Sequence, residues 1–239
     1  MRNVIIWGSG FIGSHIIGHL SSGKRKIICI DKTESEYTKQ KGIKVHNADI
    51  LNKKKIAVVI VRPPIIYGPR MNKVSGAAKI FGMMRKKISI GLGDMQNFFS
   101  VCYVKNLAYA MVHFSQKHKH GNHIYIIADR EKFTQEAFCR EIEKAFNNKT
   151  SLIKLPSILG YLMYWSGEFV AHITKNPPFV PKEVLLGITT NAYYYDISKA
   201  QKSGYIPDYS TSQGIKETVE WLSSKDHADI AHRILQFIQ

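Results

Sequence analysis

The feature that most constrains the fold of this chain is a glycine-rich segment, Gly8 to Gly13, which reads GSGFIG. The residues before it, NVIIW (3–7), are typical of a buried strand, and those after it, SHIIGHLSSG (14–23), are typical of an apolar helix. A sharp turn from a buried strand into a helix needs glycine for the turn and for the close approach of helix and strand. The N-terminus of such a helix offers free N–H groups and a partial positive charge, which together favour an anion such as a diphosphate.

The next segments extend this beginning into a parallel α/β sheet. KRKIICID (24–31) is typical of a second strand, and GIKVHNAD (42–49) of a short third one. Asp31 closes the second strand, where a carboxylate can accept hydrogen bonds from the ribose hydroxyls of NAD. Lys32, next to it, could instead meet the 2′-phosphate of NADP. The pattern therefore predicts a dinucleotide site for NAD or NADP.

Strand and helix patterns continue along the rest of the chain. IAVVIV (56–61) is typical of a strand covered on both faces, and HIYIIAD (123–129) of another buried strand. Two helices are marked by their N-terminal capping residues. Thr134 is a cap with Phe133 and Phe138 as a hydrophobic staple, and Ser210 and Gln213 have the spacing of a capping box. Further helices are predicted over 74–88, 104–117 and 226–239.

Composition narrows the class of protein. The formal net charge of +16 comes from lysines scattered over the whole chain, which favours a solvated surface over a nucleic-acid partner. The three cysteines stand far apart, which argues against a disulfide scaffold and a zinc site and is typical of the reducing cytoplasm. The N-terminus has no signal-peptide layout, which also favours a cytoplasmic location. The histidines His113, His118, His120 and His123 are interpreted as a helix end and a loop, without a metal.

One apolar stretch, SILGYLMYWSGEFVAHI (157–173), raises the question of a membrane. Glu168 and His172 interrupt it, and a transmembrane helix needs about 20 mostly apolar residues. We therefore expect a packing or pocket helix and no transmembrane span, and we keep peripheral contact with a membrane as an alternative.

Seven motifs occur in one order along residues 3–223 and together resemble a known family. They are GSGFIGSH, ICID, NADI, VIVRPPIIYGPR, GLGDMQNFFSVCYVKNLAYAMVH, YYYDISKAQKSGYIPDYS and GIKETVEWL. In this set the chain is similar to the extended short-chain dehydrogenase/reductase family, the NAD-dependent epimerase/dehydratase group, and within it the 3β-hydroxysteroid dehydrogenase-like branch.

The resemblance implies a fold and an activity. The fold is a Rossmann-like, doubly wound parallel sheet over residues 1–130, with a smaller, mostly helical substrate lobe over 131–239. The activity is hydride transfer at a secondary alcohol or ketone of a sterol-like or sugar-nucleotide substrate. A homodimer is kept as an open alternative for the oligomeric state. The predicted cofactor contacts are Gly8, Gly10, Phe11, Ile12, Gly13, Asp31, Lys32, Asp49, Ile50 and Pro64, and the predicted substrate contacts are Tyr67 and Arg70.

The chain departs from this family in the middle of the sheet. There the family has two more strands with their helices, which carry a Ser or Thr and a Tyr-x-x-x-Lys pair that handle the proton. This chain passes from NADI to IAVVIV through Leu51–Lys55 alone. A Tyr-x-x-x-Lys pair, Tyr37 with Lys41, follows the second strand at the adenosine end and is expected by chance. We therefore assign no catalytic residue and predict a sheet with an internal deletion and impaired or absent turnover, with a non-catalytic dinucleotide-binding protein as the alternative.

The short connection also limits the topology. Seven steps from Asp49 to Ile56 reach about 24 Å when fully extended. For IAVVIV to lie parallel beside the first strand, the chain must cover about 22 Å even on a straight line through the sheet. The actual path is longer, because the connection must pass over one face of the sheet. A hairpin that places IAVVIV antiparallel to the third strand would fit the length, so both routes stay open.

Overall fold

The structure is a computed structural model that describes residues 3–7, 11–21, 26–31, 45–47, 58–72, 75–117, 122–174 and 194–238. The chain divides into two compact units. Unit 1 comprises residues 1–72, 101–130 and 196–214, and unit 2 comprises residues 73–100, 131–195 and 215–239. The division into domains of 1–130 and 131–239 stays a prediction.

Unit 1 opens with the strand–helix–strand arrangement that the sequence predicts. Strand β1 (Asn3–Trp7), helix α1 (Phe11–Ser21) and strand β2 (Lys26–Asp31) are followed by a short strand β3 (Val45–Asn47). The three strands form one parallel sheet in the order β1-β2-β3, with Trp7 opposite Ile30 and Asp31 opposite Asn47. The carboxyl ends of the strands therefore lie at one edge of the sheet.

The rest of unit 1 is built from two further strand pairs and their helices. Strand β4 (Val58–Arg62) pairs in parallel with β9 (Asn122–Ile126), and β5 (Ile65–Tyr67) pairs in parallel with β8 (Val101–Tyr103). The helices are α3 (Val104–Lys117), α6 (Ser198–Lys202) and the start of α7 (Thr211–Ile238). Phe114 of α3 stacks on Tyr125 of β9 with ring centroids 3.9 Å apart, and this pair lies in the buried core.

Strand β4 differs from its prediction in one respect. Ile60 is 41% exposed, so this strand is not covered on both faces. In the described part of the chain β4 pairs with β9, and neither β1 nor β3 is its partner. Residues 48–57, which contain the short connection, lie outside the described residues, as do the two routes considered for it.

Unit 2 combines helices with two small sheets. Helix α2 (Gly76–Arg85) leads to β6 (Ile88–Leu92) and β7 (Phe98–Phe99), and β10 (Phe133–Thr134) leads to α4 (Gln135–Phe146). Strand β11 (Ser151–Leu155) then pairs in parallel with β6, and α5 (Ser157–Thr174) follows. In the described residues no helix is long and apolar enough to cross a bilayer.

Both predicted helix caps are confirmed, and two helix bounds differ from prediction. The Thr134 hydroxyl accepts from the amide of Ala137 at 3.2 Å. The Ser210 amide donates to Gln213 Oε1 at 2.8 Å. The helix predicted over 74–88 ends at Arg85, and Ile88 is already part of a strand. The trailing helix predicted over 226–239 is continuous with the capped helix before it, as α7.

Candidate dinucleotide-binding site

The end of β1, the start of α1 and the end of β2 lie at one edge of the first sheet. Strand β1 ends at Trp7 and α1 begins at Phe11, so the first helical turn contains Phe11, Ile12 and Gly13. The parallel register sets Trp7 opposite Ile30, and Asp31 therefore stands one residue beyond the end of β1 at the same edge. Ligands of open α/β sheets bind in such a crevice outside the carboxyl ends of the strands.

Not every residue predicted to contact the cofactor can be placed. Phe11, Ile12 and Gly13 lie in α1, Pro64 follows β4, and the backbone of Asp31 ends β2. Outside the described residues lie Gly8, Gly10, Lys32, Asp49 and Ile50, and also Tyr37, Lys41 and residues 51–55. The described part of the site thus consists of the helix start, the β2 terminus and the segment after β4.

Helix α1 is fixed by its apolar side. Ile16, Ile17 and Leu20 are buried against Ala108 and Val112 of α3. This packing holds the helix in place while its N-terminus points to the edge where the strands end. In the first turn the helix has no acidic residue that would oppose an anion there.

His15 connects this helix to the segment after β4. The imidazole is buried, and its Nε2 lies 2.8 Å from the carbonyl oxygen of Pro69. The ring of Phe11 packs edge-on against it, with centroids 5.7 Å apart. Because Pro69 belongs to the segment that carries Pro64, Tyr67 and Arg70, one hydrogen bond ties the helix start to those residues.

The segment from Pro63 to Arg70 has an unusual backbone. Gly68 has φ 142° and Arg70 has φ 67°, in regions that side chains with a Cβ rarely adopt. Tyr67 is fully buried, and its hydroxyl lies 2.9 Å from Asp129 Oδ2 and 3.2 Å from the carbonyl oxygen of Thr211. Arg70 is half-buried. The structure therefore gives the Tyr67 hydroxyl protein partners, and the substrate role of both residues stays a prediction.

Asp129 is the hub of this part of unit 1. It is buried, and its Oδ1 accepts from the amide of Tyr103 and from Asn106 Nδ2, each at 2.9 Å. Its Oδ2 accepts from the Tyr67 hydroxyl at 2.9 Å and from Thr211 Oγ1 at 3.4 Å. One carboxylate thus holds together β5, β8, α3 and the start of α7.

No local pattern in the sequence indicates this hub or the His15 contact. Asp129 follows a strand and belongs to no catalytic motif, and its partners come from three segments that are separate in the sequence. The structural role of a buried carboxylate can be recognised only when the fold shows which hydrogen-bond donors lie next to it.

Burial raises the pKa of three groups around this hub. The pKa of the Tyr67 hydroxyl is well above its ordinary value because of burial and then because of the charge of Asp129. For the same two reasons the pKa of the Cys102 thiol is also well above its ordinary value. The pKa of Tyr205 is raised by burial first, and then by Cys102 and Asp129. All three groups therefore stay protonated in the folded chain at neutral pH.

Stability should fall at alkaline pH because of these groups. In the unfolded chain they lose their protons near pH 9 to 10, roughly their ordinary pKa values. The folded chain keeps these protons. The free energy of unfolding is therefore constant below about pH 9 and decreases as the pH rises above it. Urea unfolding followed at several pH values between about 7.5 and 10.5 measures the effect. Tyr205→Phe should reduce the slope, and unchanged stability across this range would contradict the assignment.

Comparison with known proteins agrees with the motifs. The family model of the 3-beta hydroxysteroid dehydrogenase/isomerase family matches residues 46–156. The 4-epimerase of N-acetyl-alpha-D-glucosaminyl-diphospho-ditrans,octacis-undecaprenol from Escherichia coli O157:H7 is 22% identical over 170 residues, which cover 69% of this chain and 49% of that protein. The decarboxylating sterol-4-alpha-carboxylate 3-dehydrogenase of Saccharomyces cerevisiae is 29% identical, with the same two coverages of 69% and 49%. The chain thus spans about half the length of these curated relatives.

Solved structures show the same fold. UDP-glucuronic acid 4-epimerase from Bacillus cereus in complex with NAD matches with a TM-score of 0.66 at 12% identity, over 93% of this chain and 99% of that chain. UDP-glucose 4-epimerase from Thermotoga maritima matches with a TM-score of 0.62 at 13% identity, over 94% and 99%. These findings confirm the resemblance drawn from the motifs: the chain is similar to NAD-dependent epimerases and to 3-beta hydroxysteroid dehydrogenases, and it has a Rossmann-like α/β fold.

Proposed function

We propose that this chain binds NAD at the edge of its first sheet, by descent from oxidoreductases and epimerases of this family. The observation that carries the proposal is the parallel β1–α1–β2 arrangement, with a GxGxxG turn between strand and helix and Asp31 at the end of β2. The helix N-terminus would receive the diphosphate and the carboxylate the ribose hydroxyls. The NAD complex of the Bacillus cereus epimerase supports the choice of cofactor. NADP, with Lys32 as its contact, is the alternative.

The ancestral substrate class we propose is a secondary alcohol or ketone in a sterol-like or sugar-nucleotide molecule. The names of the curated relatives support both kinds of molecule. Pro64 would approach the cofactor, and Arg70 would face the substrate. Tyr67 would act mainly by holding this segment through its contact with Asp129. A cytoplasmic location and a homodimer remain predictions.

Turnover is expected to be impaired or absent. The segment that carries the Ser or Thr and the Tyr-x-x-x-Lys pair in the family has no counterpart between Asp49 and Ile56. Without that segment, the proton of the substrate alcohol would lack the acceptor that the family provides. The second candidate is therefore a protein that binds the dinucleotide without reaction, as a sensor or docking partner.

A titration with reduced cofactors tests the binding site. We expect saturable binding of NADH, and we expect Asp31→Ala to raise the Kd about 10- to 100-fold because hydrogen bonds to a carboxylate are lost. NADPH should bind more weakly than NADH, since Asp31 repels the 2′-phosphate. The exposed Asp208 offers a matched control, and Asp208→Ala should leave both affinities unchanged.

The relative affinities for NADH and NADPH distinguish NAD from NADP as the cofactor. Tighter binding of NADPH, lost in Lys32→Ala, would replace NAD by NADP in the proposal. A folded chain that binds neither cofactor would overturn it.

A further inference from the structure

A tight turn follows strand β5 in unit 1. The amide of Met71 donates to the carbonyl of Gly68 at 3.2 Å, so these residues enclose a four-residue β-turn with Pro69 and Arg70 at its centre. Arg70 has φ 67°, whereas the ring of Pro69 fixes its φ at about −65°. A negative φ followed by a positive one is typical of a type II turn. The turn is therefore of type II.

The third residue of this turn is unusual for its type. Type II turns favour glycine or asparagine there, because a larger side chain is strained at positive φ. Proline in the second position is compatible with type I and type II alike, and the two types differ by a half rotation of the peptide between the central residues. With Arg70 in the third position, the local sequence favours type I. The type II form therefore needs a contact from outside the turn.

The buried imidazole of His15 supplies this contact. Its Nε2 lies 2.8 Å from the carbonyl oxygen of Pro69, which belongs to the peptide that rotates between the two turn types. A carbonyl oxygen can only accept, so Nε2 carries the proton and donates it. Rotation of the peptide to type I would turn the oxygen of Pro69 away from the imidazole and break the hydrogen bond. The bond thus stabilises type II relative to type I.

Helix α1 fixes the position of this donor. His15 lies one helical turn after Phe11, whose ring packs edge-on against the imidazole with centroids 5.7 Å apart. The next residues, Ile16 and Ile17, are buried in the contact between α1 and α3. The donor therefore stands on a packed helix and the acceptor on a turn, so the helix orients the turn.

Both ends of the turn are also held in place. Before it, the buried hydroxyl of Tyr67 lies 2.9 Å from Asp129 Oδ2, and at its end Met71 is buried. A Cβ built on Gly68 would collide with the side chain of Val104, so the chain lies directly against the start of α3. The peptide between the two central residues is thus the part of the turn whose orientation depends on His15.

We propose that His15 is a positioning residue that selects the type II turn and thereby sets the direction of the Arg70 side chain. In a type I turn the φ of Arg70 would be negative, and its Cβ would leave the backbone in another direction. Arg70 is the predicted substrate contact, so the consequence for a substrate rests on the proposed function. The same helix would then orient the diphosphate at its N-terminus and the guanidinium through His15.

Nuclear magnetic resonance of the full chain tests the proposal without a ligand. A type II turn brings the Hα of Pro69 close to the amide proton of Arg70, and a type I turn separates them. The nuclear Overhauser effect between these protons should be strong in the parent chain. His15→Phe keeps an aromatic ring but removes the donor, and most of the effect should be lost. His15→Gln can donate from its own Nε2 and should restore it.

Two further variants serve as controls. Ser14→Ala removes a buried hydroxyl of the same helix, which donates to the carbonyl of Phe11 at 2.8 Å, and it should keep the strong effect. His15→Phe combined with Arg70→Gly should regain the strong effect, because glycine adopts a positive φ without support. The imidazole ¹⁵N shifts of the parent chain need no variant, and they should show the proton of His15 on Nε2.

Three results would overturn the proposal. They are a strong effect that persists in His15→Phe, an equal loss in Ser14→Ala, and a neutral imidazole of His15 that carries its proton on Nδ1. Titration of the same samples with NADH reports separately on the proposed function. A parent chain that does not bind NADH would overturn that function, and the turn measurement would still decide the role of His15.

Discussion

Replacing Asp129 by alanine will lower the free energy of unfolding by about 3 to 5 kcal/mol, because it removes the acceptor for several buried donors at once. The amide of Tyr103 and the side chain of Asn106 lose a partner at 2.9 Å each, and the Tyr67 hydroxyl loses its shorter one. Urea unfolding measures the loss. Hydrogen exchange locates the loss of stability in the structure. In the variant, the amide of Tyr103 should exchange faster than the other amides of unit 1.

Two variants control this prediction. Asp129→Asn keeps the size and one oxygen acceptor, so it should cost less than alanine. Asp208→Ala removes an exposed carboxylate of the same unit and should change the stability by less than about 0.5 kcal/mol. If Asp129→Ala is as stable as Asp208→Ala, the carboxylate does not hold the four elements together.

The second large effect concerns catalysis. Hydride transfer by this chain should be about 100- to 10,000-fold slower than in a relative with the full sheet, because that is what general acid–base catalysis contributes. The assay offers NAD with a sterol alcohol, and separately with a UDP-sugar, and follows absorbance at the NADH wavelength or epimerised product. Tyr37→Phe is the control and should leave any residual rate unchanged. A rate like that of relatives with the full sheet would contradict the prediction, and its loss in Tyr37→Phe would identify Tyr37 as the general base.

Local patterns predicted the local structure of this chain well. The β1–α1–β2 beginning follows from an apolar run, a glycine-rich segment and an apolar helical pattern that are adjacent in sequence. The caps at Thr134 and Ser210 depend on residues three positions away. The ring of Phe133 lies 6.3 Å from that of Phe138, as a hydrophobic staple requires.

Features that depend on distant residues were missed. The helix predicted over 74–88 ends early because Lys87 adopts φ 61° and Ile88 pairs with Ser151, which is far away in the sequence. The exposure of Ile60 depends on which strands flank β4, and a β-branched run does not contain that information. The Asp129 hub joins residues 23 to 82 positions apart. Periodicity reports which face is apolar, and it does not report which partner covers that face or which donors reach a buried acid.

Calorimetric titration of the full chain with NADH, in the absence of any substrate, shows whether the chain binds a dinucleotide. We expect one saturable site per chain that Asp31→Ala weakens and Asp208→Ala does not. A titration without binding heat at several temperatures, from a chain whose circular dichroism shows it to be folded, would contradict the claim that this sheet edge holds a dinucleotide.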